Sequence, residues 1–65
     1  MRITLKAARI NAGLSQEEVA KKLGVCRQTI IKWERDTGRL NFEKLQSLCR
    51  VYGVDVNDIF LGLSD

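Results

Sequence analysis

The chain contains no proline and no histidine, and only two of its 65 residues are cysteine. Without histidine the commonest acid–base catalyst at neutral pH is missing, and two cysteines alone do not complete a zinc site. A framework of several disulfides, the staple of many small secreted folds, is equally out of reach. Aromatic residues are sparse at 6%, and no apolar run approaches the length that crosses a bilayer. The opening residues Met1-Arg2-Ile3-Thr4 lack the hydrophobic stretch of a signal peptide. There is no strand followed by a phosphate-cradling glycine loop, and the chain is too short to enclose a sizeable pocket. These absences argue against an enzyme. No cofactor, metal or small-molecule substrate is expected, and the protein is expected to be soluble and cytoplasmic, with no membrane partner.

What is present is an apolar fraction of 45%, enough for one packed core in a chain too short for two. Residues 1–65 are therefore expected to form a single domain, with Cys26 and Cys49 as buried free thiols. Charge is unevenly distributed. Residues 1–40 carry nine Lys or Arg against four Asp or Glu, a net of +5, and residues 41–65 carry two against four, a net of −2. The first forty residues are thus the part suited to a polyanion.

Apolar residues recur three and four apart, not in alternation, which predicts an all-α chain of five short helices separated by glycines. The first runs from Leu5 to about Ala12 with Thr4 as N-cap, although Ile3-Thr4-Leu5 also suits an extended start. Ser15 and Glu18 form a capping box that opens the second helix, whose inner face is Val19, Ala20 and Leu23. The third runs from near Cys26 to Arg35, with Ile30, Trp33 and Glu34 on one face and Arg27, Gln28, Ile31, Lys32 and Arg35 on the other. Asn41 caps the fourth, whose stripe is Phe42, Leu45, Cys49 and Tyr52 with Leu48 alongside. Gly53 and Val54 close that helix. Asp55 and Asp58 resemble a further capping box, opening a fifth helix that carries Val56, Ile59, Phe60 and Leu61.

From Gln16 to Arg35 the order is helix, tight glycine turn, helix. Ala20 must be small where the two helices cross, and Gly24 must accept a positive φ. Val25, Ile30 and Trp33 then lock the pair, so its angle is set by packing.

With these residues in place, the chain resembles the Cro and lambda-repressor type, or XRE family, of helix-turn-helix proteins. The resemblance rests on Leu-Lys-Ala-Ala-Arg (5–9), Gly-Leu-Ser-Gln-Glu-Glu-Val-Ala-Lys-Lys-Leu-Gly-Val (13–25), Ile-Ile-Lys-Trp-Glu-Arg (30–35) and Tyr-Gly-Val-Asp-Val-Asn-Asp-Ile-Phe (52–60). It implies a compact five-helix lambda-repressor-like domain in which helices 2 and 3 form the helix-turn-helix. The third helix would enter the major groove of double-stranded DNA and the second would lie across the backbone.

By position, the resemblance gives Arg27, Gln28, Lys32 and Ile31 as base-contacting residues. Arg suits guanine and Gln suits adenine, while Ile31 suits either a thymine methyl or simply tolerated apolar surface. Gln16, Arg35, Arg39, Asn41 and Phe42 would contact phosphates, and Arg9 and Glu34 would form a structural ion pair. Two positions depart from the family's pattern: Cys26 stands where Ser or Thr usually caps, and Leu40 where proline is common.

The implied function is sequence-specific transcriptional regulation, with repression at a palindromic operator by a homodimer. Phe60, Leu61 and Leu63 are the expected dimer interface. The alternative is an antitoxin or protein-interaction module, whose protein partner the same apolar residues would meet.

Overall fold

Thr4, in extended backbone, accepts the amide of Ala7 on its hydroxyl at 3.0 Å and so satisfies one of the donors that a helix start leaves unpaired. The computed structural model describes residues 2–60. Within them four α-helices follow in order: α1 Leu5–Asn11, α2 Gln16–Leu23, α3 Arg27–Arg35 and α4 Phe42–Tyr52. Single 3-10 turns occupy Thr37–Arg39 and Val56–Asp58. None of the helices among these residues is long and apolar enough to cross a membrane.

Local chemistry accounts for most boundaries. The Ser15 hydroxyl accepts from Glu18 N at 3.1 Å, and the Glu18 carboxylate accepts from Ser15 N at 2.9 Å, closing the capping box. The Ser15 amide, and after it the Ser15 hydroxyl, hold the Glu18 carboxyl below its ordinary range. Asn41 accepts from Lys44 N at 2.9 Å and opens α4. At the end of α2, Gly24 sits at φ 69°, and Val25 N reaches back to the Ala20 carbonyl at 3.0 Å. A side chain at Gly24 would be strained in this left-handed conformation, so the short α2–α3 turn depends on glycine.

The core lies where α1, α2, α3 and α4 converge. Leu5, Val19, Ile30 and Leu48 are the largest fully buried side chains, one from each helix in turn. Truncating any of them to alanine removes methyl groups that little can replace, at a cost of roughly 2 to 5 kcal/mol.

Three expectations need correction. No fifth α-helix forms among the described residues. Asp55 accepts from Asn57 N at 2.9 Å and starts only the 3-10 turn Val56–Asp58. Ile59 then extends and buries itself, 2% exposed, in a parallel bridge with Ile3. Ile3 N donates to the Asp58 carbonyl and Phe60 N to the Ile3 carbonyl, each at 2.8 Å. Pairing two β-branched residues satisfies backbone groups of both segments while Ile59 is buried and Ile3 half-buried, which an isolated two-turn helix would not do. Leu61, assigned to the same helix, lies outside the described residues.

Phe42 does not join the α4 stripe. It is the first helical residue, 63% exposed, and the buried row begins one turn later at Leu45. The cysteines also divide: Cys49 is buried in the core, whereas Cys26 is exposed at the start of α3.

Candidate nucleic-acid interface

The α2–α3 unit determines which side chains face outward. Val19 and Ala20 of α2 and Ile30 of α3 are buried, with Leu23, Val25 and Trp33 half-buried against the same core. Because one face of α3 is used in this way, Arg27, Gln28, Ile31, Lys32 and Arg35 are left exposed on the other. Ile31 is 38% exposed, an apolar residue set among long polar ones. Nine residues at 1.5 Å each make α3 about 13 Å long, a length over which side chains one turn apart span a few base pairs.

Cations gather at both ends of this helix. At its N-terminal end an open hollow of about 500 Å³ is lined by Lys6, Arg9, Ser15, Gln16, Glu17 and Arg27. At its C-terminal end a second hollow, of about 320 Å³, is lined by Lys32, Trp33, Arg35, Asp36, Arg39 and Leu40. The face therefore presents a polar row flanked by two basic recesses, a distribution that favours a long polyanion over a point charge.

In each recess an arginine is paired with an acid, Asp36 in the lining of the C-terminal one and the buried Glu34 behind the N-terminal one. Arg39 is paired with Asp36 at 3.1 Å, its own side chain 89% exposed. Arg9, 9% exposed, donates Nε to Glu34 Oε2 at 2.6 Å and Nη1 to the Leu14 carbonyl at 2.9 Å. Glu34, 6% exposed, thus holds α3 to α1, and Arg9 in turn holds the α1–α2 turn. Its other oxygen accepts from Gln16 Nε2 at 3.2 Å.

Cys26 makes no capping bond to the α3 backbone. Its sulfur lies instead 3.2 Å from the Thr29 hydroxyl, which lowers the thiol's pKa from the ordinary cysteine range.

The structure brings together most of the residues singled out from the sequence. Arg27, Gln28, Ile31, Lys32 and Arg35 share α3, Gln16 borders its N-terminal recess, and Arg39 borders its C-terminal one. Asn41 and Phe42 sit at the start of α4, both exposed. Phe42 also lines a separate hollow of about 250 Å³ with Leu45, Val56 and Ile59. Of the expected dimer residues, Phe60 is 45% exposed, and Leu61 and Leu63 lie outside the described residues.

Sequence reasoning passed over Lys6, Asp36 and the Gln16–Glu34 bond. The excess of cations in residues 1–40 includes Lys6, but only the approach of α1 to α2 brings it beside Gln16.

The chain matches a family model described as helix-turn-helix over residues 5–59. It is 39% identical over 61 residues to an uncharacterized HTH-type transcriptional regulator of Methanocaldococcus jannaschii, covering 94% of this chain and 92% of that one. It is 33% identical over 58 residues to the HTH-type transcriptional activator BcrR of Enterococcus faecalis, covering 89% of this chain and 28% of that one. The cryptic phage CTXphi transcriptional repressor RstR of Vibrio cholerae is 31% identical over 55 residues, which cover 85% of this chain and 50% of that protein. No solved structure matches the chain at comparable significance.

Proposed function

The chain belongs to the XRE type of the helix-turn-helix family, DNA-binding regulators of transcription, and from that membership we propose that it is a sequence-specific repressor. Residues 1–65 act as one DNA-binding domain in the cytoplasm, and two copies bind a palindromic operator through the major groove. The observation that carries this reading is the exposed row Arg27, Gln28, Ile31 and Lys32 on a helix whose opposite face is locked into the core. Arg27 and Gln28 have the donor patterns that pair with guanine and adenine edges, Lys32 donates to guanine, and Ile31 meets a thymine methyl.

Gln16, Arg35, Arg39 and the amides at Asn41 and Phe42 contact the backbone on either side. These contacts set register and affinity without reading sequence. Repression needs only that the operator be occupied, which a DNA-binding face achieves unaided. The repressor of the cryptic phage supports this sense of regulation, and the Enterococcus relative is an activator.

Selection of bound duplexes from a random pool tests the proposal. The expected product is an inverted repeat with half-sites about one helical turn, roughly 34 Å, apart. Recovery of a single half-site would remove the dimer. Enrichment of no motif would overturn sequence-specific repression and favour the antitoxin or protein-interaction reading, for which Phe42 and Phe60 offer exposed apolar surface.

A further inference from the structure

The two carboxylate oxygens of Glu34 have partners on two different helices. Oε2 accepts from Arg9 of α1 and Oε1 from Gln16, the first residue of α2, while Glu34 itself belongs to α3. Arg9 and Gln16 both line the hollow that also contains Lys6 and Arg27. One buried acid on the helix of the polar row therefore holds two side chains of the neighbouring basic recess.

The chemistry of the carboxylate decides how Gln16 is presented. An ionised carboxylate only accepts hydrogen bonds, so the end of the amide that meets it must be the NH2. One N–H of Gln16 is engaged by Glu34, and the same nitrogen keeps a second N–H for another acceptor. A glutamine in the first turn of a helix would otherwise rotate and offer donor or acceptor alike, and its carbonyl would repel a phosphate. Fixing the nitrogen removes that ambiguity before an anion arrives.

We propose that Glu34 is a positioning residue for DNA binding: by pinning Gln16 Nε2 and Arg9 at the edge of the hollow, it sets the backbone contact of α2 in register with the base-reading face of α3. The inference rests on the operator-binding reading above and deepens it, assigning to a buried acid the orientation of a phosphate donor.

The substitution Glu34→Gln distinguishes positioning from simple support. The new amide has one acceptor, which the charged Arg9 takes, so its NH2 faces Gln16 and turns the Gln16 carbonyl toward it, which swings the donor nitrogen off the position that it holds beside Glu34. Affinities of wild type, Gln16→Ala, Glu34→Gln and the double variant are measured on the selected duplex at fixed salt, with circular dichroism establishing that each is folded. In the wild-type background Gln16→Ala should weaken binding about tenfold, the size of one hydrogen bond to a charged group. In the Glu34→Gln background the same change should cost less than about twofold. An equal cost in both backgrounds overturns the positioning role while leaving operator binding intact. Failure of the wild type to bind any duplex overturns the operator reading, and with it any role of Glu34 in DNA binding.

If Glu34→Gln does not fold, the free wild type decides the matter by NMR. The Gln16 side-chain NH2 should exchange with water more slowly than those of the exposed Gln28 and Gln46. Exchange as fast as theirs overturns the proposal.

Discussion

The Arg9 guanidinium and the Glu34 carboxylate meet across 25 residues of chain, with side chains 11% and 7% exposed. Both charges have left water, so each depends on the other for the solvation it lost. Arg9→Ala leaves Glu34 buried with only Gln16 to solvate it, and should cost roughly 3 to 5 kcal/mol in urea unfolding. The double variant Arg9→Met/Glu34→Leu should recover most of that loss, since neither charge remains. A loss near zero for Arg9→Ala would show that water reaches the pair.

Tyr52 gives the opposite sign. Its ring is in the core and its hydroxyl is buried without a hydrogen-bond partner among the described residues. Tyr52→Phe removes a desolvated polar atom and keeps the ring, so thermal unfolding at pH 7 should show a neutral effect or a gain of up to about 1 kcal/mol.

The same hydroxyl makes stability depend on alkaline pH. Burial, with Glu34 nearby, pushes its pKa up from 10.0 to about 12. The folded state therefore keeps a proton that the unfolded state releases between pH 10 and 12. Its contribution is complete below pH 10 and declines as pH rises through the folded value, by roughly 2 to 3 kcal/mol in all. Wild type should lose stability relative to Tyr52→Phe over that window, and parallel pH curves for the two proteins would refute the assignment.

Cys26 occupies an N-cap position and does not cap. Cys26→Ser supplies an oxygen that accepts from the first turn of α3, and should raise stability by about 0.5 to 1 kcal/mol in chemical denaturation. Alkylation should also discriminate between the thiols. The Thr29 hydroxyl pulls the Cys26 pKa down, whereas burial and Asp55 push that of Cys49 up. Iodoacetamide should therefore modify Cys26 first, with mass spectrometry of digested peptides as the readout. Thr29→Val should slow that reaction.

The exposed row and the flanking cations should respond differently to substitution. Gln28→Ala or Lys32→Ala should change which base is preferred at one position, by about 1 to 3 kcal/mol of discrimination. Arg39→Ala should weaken all duplexes alike and lower the slope of log affinity against log salt by about one. Asp36→Asn should do the reverse, because it releases Arg39 from its partner. Competition binding across a panel of single-base variants separates the two classes.

Caps, glycines and the spacing of apolar residues determined α1 to α4 in advance, because a helix is decided by contacts three and four residues apart. Ser15 with Glu18, Asn41, and Gly24 after Leu23 carry those boundaries within one turn of chain. The outward row Arg27, Gln28, Ile31 and Lys32 was legible for the same reason: once Ile30 and Glu34 turn inward, 100° per residue leaves no other place for them. Only the tertiary structure decided what residues far apart do to one another. Ile59 became an extended partner of Ile3 because both ends meet over the core, and Phe42 was left outside because the core ends at Leu45. Gln16 acquired its orientation from Glu34, 18 residues away. Such pairings depend on where whole helices come to rest, and the helical period of each segment carries no record of it.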